Sequence, residues 1–122
     1  MKMYADYIKE RTGRESTFSD NGFATYMFFD PKPADGPSPA VEGGCYIEDI
    51  YVDPAFRQSG QATQMADAIV AIAQAKGYKT LYGTVAPAAK GSTASLKVLL
   101  AYGFKLWKSD QNLIWFVKDI GV

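Results

Sequence analysis

The chain has 122 residues, 48% of them hydrophobic and 14% aromatic, which suits one folded domain over 1–122 built on a single core. Thirteen basic side chains balance thirteen acidic ones and no Lys/Arg run occurs, so nucleic acid and anionic membranes find no electrostatic footing. The lack of histidine and the single cysteine, Cys45, exclude Ser-His-Asp and Cys-His catalysis, His- or thiolate-bound metal sites and an intrachain disulfide.

In chain order, Tyr4, Tyr7, Ile8 and Arg11 predict a short amphipathic helix over 2–12, stopped by Gly13. Glu15 to Ser19 reads as a strand. Asp20-Asn21-Gly22 is a hairpin signal, because Asn-Gly tolerates the positive φ angles of a type I′ turn. An aromatic strand from Gly22 to Phe29 follows. Residues 30–44 hold four of the six prolines and three glycines, and read as a flexible surface loop. Cys45 to Val52 is the expected central strand. Ala62, Met65, Ala66, Ile69, Ile72 and Ala73 then recur at helical spacing over 61–76, ending at Gly77.

Lys79 to Val85 forms a further strand. Ser92 or Thr93 is placed to cap a helix that carries Leu96, Leu99 and Leu100 on one face and ends at Gly103. Two strands, 104–107 and 113–118, close the chain around a turn at 109–112. Trp107, Trp115 and the aromatic residues of the second strand are expected in core and interface. No apolar run approaches the about 18 residues of a membrane span. The start Met1-Lys2-Met3-Tyr4-Ala5-Asp6 has no apolar leader core. With a lone cysteine these features predict a cytoplasmic protein, monomer or homodimer.

The most informative stretch runs from Val52-Asp53-Pro54 through Arg57-Gln58-Ser59-Gly60-Gln61-Ala62: a strand end, a glycine-containing turn and a helix start. A helix N-terminus leaves backbone N–H groups without intrahelical partners, and with the helix dipole they form a site for phosphate. Gly60 lets backbone approach a ligand, Ala62 keeps the first helical turn slim, and Arg57 adds a planar cation suited to phosphate oxygens. Lys90-Gly91-Ser92-Thr93 has its lysine before the glycine and is not a P-loop.

Arg57-x-x-Gly60-x-Ala62 resembles the acyl-CoA pyrophosphate loop of the GNAT acetyltransferase superfamily. The Val-Asp-Pro strand end and the later Leu100-Ala101-Tyr102-Gly103-Phe104 segment are also similar, so the resemblance covers about half the chain, from Cys45 to Phe104. It implies an α/β fold: a mixed, largely antiparallel twisted sheet, splayed at its centre, with helices on both faces. The front is shorter than usual for the family, with about fourteen residues before the first strand where a strand and two helices are common. The resemblance implies acetyl-CoA as cosubstrate. Backbone groups of Ile50, Tyr51 and Val52 would meet pantetheine and the acetyl carbonyl, and Arg57, Gln58, Ser59, Gly60, Gln61 and Ala62 would hold the pyrophosphate. No metal is implied.

Direct acetyl transfer to a primary amine, on a small molecule or a peptide, is the activity this implies. An alternative is a CoA-binding protein of regulatory or structural role with little catalysis. Another is an amino-sugar acetyltransferase, since Ile47-Glu48-Asp49-Ile50-x-Val52 is similar to the corresponding strand of glucosamine-6-phosphate N-acetyltransferases. Strand alternation sends Glu48 to one face with Ile50 and Val52, and Asp49 to the other with Ile47 and Tyr51. A carboxylate in an apolar strand is costly unless paired or solvated. Glu48 is therefore the first candidate for a base acting through water, its pKa raised by burial, and Asp49 the second, positioning the acceptor.

The tyrosine that commonly protonates the CoA thiolate in this family is Leu99 here, and a common asparagine is Ser92. Either water protonates the thiolate, another tyrosine such as Tyr51 or Tyr82 reaches in, or turnover is slow; Tyr102 is assigned to packing, and Cys45 reads as a buried, inert thiol.

Overall fold

The computed structural model describes residues 2–37, 40–110 and 112–121. Its elements are α1 (Lys2–Thr12), β1 (Glu15–Ser19), β2 (Gly22–Phe29), β3 (Gly44–Val52), a 3-10 turn (Pro54–Phe56), α2 (Gln61–Ala75), β4 (Thr80–Val85), α3 (Ser92–Tyr102), β5 (Lys105–Asp110) and β6 (Leu113–Asp119). The six strands form one sheet in the order β1-β2-β3-β4-β6-β5. Only β3 and β4 are parallel, because α2 carries the chain across from one to the other; all other neighbours are antiparallel. The α/β class and the largely antiparallel sheet match the sequence expectation.

One face of the sheet carries the core. Ala24, Tyr26, Cys45, Ile47, Val52, Leu81, Val85 and Phe116 meet Met65, Ile69 and Ala73 of α2, with Leu96 and Leu99 of α3 packed alongside. Met65 and Ile69 are fully buried, and burial of each such side chain contributes about 1.5–3 kcal/mol. Two residues expected in these helix stripes lie outside them: Ile72 and Leu100 are 37% and 52% exposed. Helix α1 packs on β1 and buries none of its residues.

Several local readings change. The first hairpin pairs Ser19 with Gly22, so its turn residues are Asp20 and Asn21, and Asn21 does not take the positive φ of a type I′ turn. Gly22 serves close approach instead: a Cβ there would lie 2.3 Å from the Tyr51 carbonyl oxygen on β3. Helix α3 takes Gly91 as its N-cap rather than Ser92 or Thr93, whose side chains lie outside the described residues. Strand β5 runs on to Asp110, so the last turn is tighter than the expected 109–112, and Gln111 lies outside the described residues. Strand β3 begins at Gly44, one residue inside the expected loop, and the loop is tied at its base by reciprocal Lys32–Val41 backbone hydrogen bonds of 2.8 Å. Ser38 and Pro39 of that loop lie outside the described residues. None of the described helices is long and apolar enough to cross a membrane.

Candidate active site

Strands β3 and β4 pair only at Cys45↔Leu81 and Tyr46↔Tyr82, then part. Beyond Tyr46, β3 keeps β2 on one side while its other edge opens into a V, the splay expected at the sheet centre. Asp53 N–H donates to the Asn21 carbonyl on the β2 side. Antiparallel ladders turn successive residues' backbone groups to opposite edges, so the N–H and C=O of Ile50 and Val52 face the V, and those of Tyr51 face β2. Of the three strand residues expected to offer backbone to a ligand, Ile50 and Val52 are placed to do so and Tyr51 is not.

The same strand carries an extra residue. Thr25 pairs with Asp49 but Tyr26 pairs with Ile47, leaving Glu48 as a β-bulge. The bulge corrects the alternation expected from sequence. Ile47 joins Ile50 and Val52 on the core side, while Glu48 and Asp49 lie together on the opposite face. Glu48 is therefore not buried beside Ile50 and Val52; it is exposed and ion-paired to the Arg14 guanidinium, which donates from Nε. Asp49 has no polar partner among the described residues and is exposed. Neither the bulge, set by register against β2, nor Arg14, 34 residues away, has a local signal in the sequence.

The turn ahead of α2 is built as a cradle. The Asp53 carboxylate accepts from Ala55 N–H and starts the 3-10 turn, and Ser59 Oγ donates to the Phe56 carbonyl at 2.5 Å. Gln58 (φ 65°) and Gly60 (φ 84°) are both left-handed. Gly60 is the N-cap of α2 without a side-chain cap, and a Cβ built there would meet nothing within 4 Å. The first backbone bond of the helix is Gln64 N–H to the Gly60 carbonyl, so the N–H groups of Gln61, Ala62 and Thr63 precede the helical ladder. They point out of the α2 end next to the open edge of β3.

Side chains of the loop divide in role. Gln61 turns away from the cradle: its Oε1 accepts from Ser19 Oγ at 2.7 Å and Asn21 N–H at 2.9 Å, and its Nε2 donates to Asn21 Oδ1 at 3.0 Å. Only its backbone is left for a ligand. Arg57 Nε donates to the Val52 carbonyl at 3.1 Å, and the guanidinium lies 5.8 Å from the Tyr51 ring centroid. Its other N–H donors stay available beside the V.

Across the V, Leu99 of α3 packs against Gly83, where a Cβ would lie 3.2 Å from Leu99 Cδ2. Neither tyrosine expected to replace the missing acid is at the opening. Tyr82 donates its hydroxyl to the Glu42 carbonyl at 2.8 Å, and Tyr51 lies 43% exposed against Phe23 and Arg57. Tyr102 donates to Asp67 Oδ1 at 2.6 Å, linking α3 to α2; burial, then this hydrogen bond and charge, push its phenol up. Cys45 is fully buried, and burial pushes its thiol up to about 12.

The face opposite the core is paved with aromatics in a continuous chain of ring contacts: Phe29–Tyr82 (5.2 Å), Tyr82–Trp107 (5.4 Å), Trp107–Trp115 (6.2 Å) and Trp115–Tyr46 (5.5 Å). The two tryptophans are half-buried on this face rather than in the core. Lys108 Nζ lies 4.5 Å from the Trp107 ring centroid. A cavity of about 460 Å³ lined by Glu42, Thr80, Tyr82, Trp107, Lys118 and Asp119 sits at the far end of the sheet, away from the V.

Comparison with known proteins agrees with this geometry. The acetyltransferase (GNAT) family matches residues 21–104. A protein described as a GNAT-family acetyltransferase from Desulfovibrio desulfuricans superposes with a TM-score of 0.69 at 17% identity, over 94% of this chain and 76% of that one. An N-acetyltransferase from Staphylococcus aureus Mu50 gives 0.60 at 26% identity, over 98% and 75%. A mutant AtaT toxin, bound to the C-terminus of the antitoxin AtaR and acetyl-CoA, gives 0.64 at 9% identity, over 98% and 76%. No curated protein matches the chain in sequence. The family match spans more than half of the chain and coincides with the splay, the Gly60 cradle and α3: the chain belongs to the GNAT acetyltransferase family.

Proposed function

We propose that this chain is an acetyl-CoA-dependent N-acetyltransferase that passes the acetyl group directly to a primary amine. The observation that carries the reading is the continuity of an open strand edge at Ile50 and Val52 with the uncapped N-terminus of α2 at Gly60. An extended pantetheine arm pairs with the edge, while the pyrophosphate takes the N–H groups of Gln61, Ala62 and Thr63, the backbone of Gln58 and Ser59, and the free donors of Arg57. A backbone N–H of Ile50 or Val52, aimed into the V, stabilises the oxyanion that forms on the acetyl carbonyl. Solved structures of similar fold, the NatC complex bound to CoA and the AtaT mutant bound to acetyl-CoA, support this reading.

The acceptor enters from the face that carries the bulge. An amine is protonated near neutral pH and must lose a proton before attack. Of the two acids Asp49 has no polar partner among the described residues, so it collects that proton through water, and Glu48, held by Arg14, fixes the bulge and orients the acceptor. This reverses the order of the two acids expected from sequence, because the burial assumed for Glu48 is absent. Cys45 is buried with its pKa raised and is not an activated nucleophile, which favours direct transfer.

A second reading, a CoA-binding protein with little turnover, is favoured by one observation: Leu99 presents hydrocarbon to Gly83 where a proton donor is commonly found. Calorimetry with acetyl-CoA and CoA release over n-butylamine, glucosamine and an Ala-initiated tripeptide test both. Binding with release supports transfer, binding without release supports the second reading, and absence of binding overturns both.

A further inference from the structure

One hydroxyl pair sits where the strands separate. Tyr46 is the last residue of β3 paired with β4, and its phenol reaches past its own partner Tyr82 to the Thr84 hydroxyl, 2.9 Å away. Trp115, opposite Thr84 on β6, packs its ring on Tyr46. The pair thus lies across the floor of the V, part-buried, on the face that carries Asp49. Each hydroxyl donates one hydrogen bond and accepts up to two, so the single bond between them leaves capacity for a ligand. The other phenols near the site are committed or displaced: Tyr82 to Glu42, Tyr102 to Asp67, and Tyr51 outside against Arg57.

We propose, resting on the acetyl-transfer reading, that Tyr46 is the catalytic proton donor to the departing CoA thiolate and that Thr84 is its relay. As the nitrogen–carbon bond forms, the carbon–sulfur bond breaks and its electron pair goes to sulfur. The Tyr46 O–H proton passes to that sulfur. The newly bonded nitrogen gives up its N–H proton to the Thr84 oxygen, and the Thr84 O–H proton restores the phenol. Products are the amide and the free thiol, with tyrosine and threonine regenerated. Leu99 presents hydrocarbon at Gly83, so among the described side chains the Tyr46–Thr84 pair is the hydroxyl source this proposal uses.

The test uses Tyr46→Phe and Thr84→Val in the full chain, with acetyl-CoA and whichever of n-butylamine, glucosamine and an Ala-initiated tripeptide the wild type acetylates fastest. Tyr46→Phe is expected to lower kcat about 100-fold with acetyl-CoA affinity within about 2-fold, and Thr84→Val about 10-fold. The solvent deuterium isotope effect on kcat separates chemistry from shape: the wild type shows one from transfer of the Tyr46 proton, and Tyr46→Phe loses it. Unchanged kcat in Tyr46→Phe, or a lower kcat with the isotope effect unmoved, overturns the proposal while the acetyl-transfer reading stands. Binding without CoA release from the wild type overturns the transfer reading and this role with it.

Discussion

The Arg14 guanidinium donates from Nε to the Glu48 carboxylate, joining the segment after α1 to the bulge of β3. The contact divides two adjacent acids that sequence alone treats alike. Glu48 gains a fixed cationic partner and Asp49 does not, although the bulge sends both to one face. An exposed pair of this kind adds little to stability, about 0–1 kcal/mol, so its consequence lies in geometry: one carboxylate is held and its neighbour is left for solvent and acceptor.

Asp49→Asn is therefore expected to lower kcat about 100-fold with acetyl-CoA affinity nearly intact. Glu48→Gln should cost less, about 3–10-fold and mostly in KM for the amine, because it loosens the bulge without removing the proton acceptor. Steady-state kinetics over an amine panel decide. Full activity in Asp49→Asn with a strong kcat loss in Glu48→Gln would restore Glu48 as the base.

The cofactor cradle makes a second prediction. Gly60 has φ 84° and open space where a Cβ would stand, so a side chain there meets backbone strain and any bound phosphate before it meets protein. Gly60→Asn suits the left-handed conformation and keeps the fold, with affinity reduced by bulk alone. Gly60→Asp places a negative charge among donors meant for phosphate and should weaken acetyl-CoA binding at least about 30-fold by calorimetry. Equal affinity in the two variants would show that the pyrophosphate does not sit on this turn.

The sequence made the elements legible because each carries a strong local signal. Residues 61–76 have the 3.6-residue stripe, Gly103 follows the last helix, and 45–52 is apolar and β-branched enough to be a strand. The cradle was legible from a glycine turn ahead of a helix start, and the splay only through the resemblance at Arg57, Gly60 and Ala62. What escaped was set by long-range pairing. The bulge at Glu48 depends on register with Thr25 and Tyr26, the Arg14 contact joins residues 34 apart in the chain, and the Tyr46–Thr84 pair depends on where two strands part. The misread turn at Asp20-Asn21 has the same origin, since Gly22 is required by the Tyr51 carbonyl on another strand and not by its own φ.

Gln61 ties the first hairpin to α2 through Ser19 and both ends of Asn21. Three half-buried hydrogen bonds of this kind each contribute about 0.5–1.5 kcal/mol. Gln61→Ala is expected to destabilise the fold by about 1–3 kcal/mol, lowering Tm by several degrees. Acetyl-CoA affinity should fall only slightly, since the cradle uses the backbone of this residue. Urea unfolding and calorimetry on one preparation separate the two effects; a large affinity loss at unchanged stability would assign the side chain to the ligand instead.

Cys45 gives the last prediction, in pH. The thiol is fully buried in the core, on β3 between Phe28 of β2 and Leu81 of β4, and burial raises its pKa from an ordinary value of 9.0 to about 12. The neutral thiol is thus favoured in the folded chain, while the unfolded chain ionises it at the lower value. Below about pH 9 both states keep the proton, and the stabilisation is present in full. Between about 9 and about 12 the unfolded state releases its proton first, so the unfolded chain is favoured progressively as pH rises. Urea midpoints of the wild type should therefore fall from pH 8 to pH 10.5 by more than those of Cys45→Ala, which lacks the group. At pH 8 an uncharged thiol reagent should modify Cys45 only at the rate of unfolding, and Cys45→Ala should keep full transfer activity if the mechanism is direct. Rapid modification of the folded protein, or loss of transfer in Cys45→Ala with acetyl-CoA still bound, would make the thiol an acyl carrier and replace direct transfer with a two-step route.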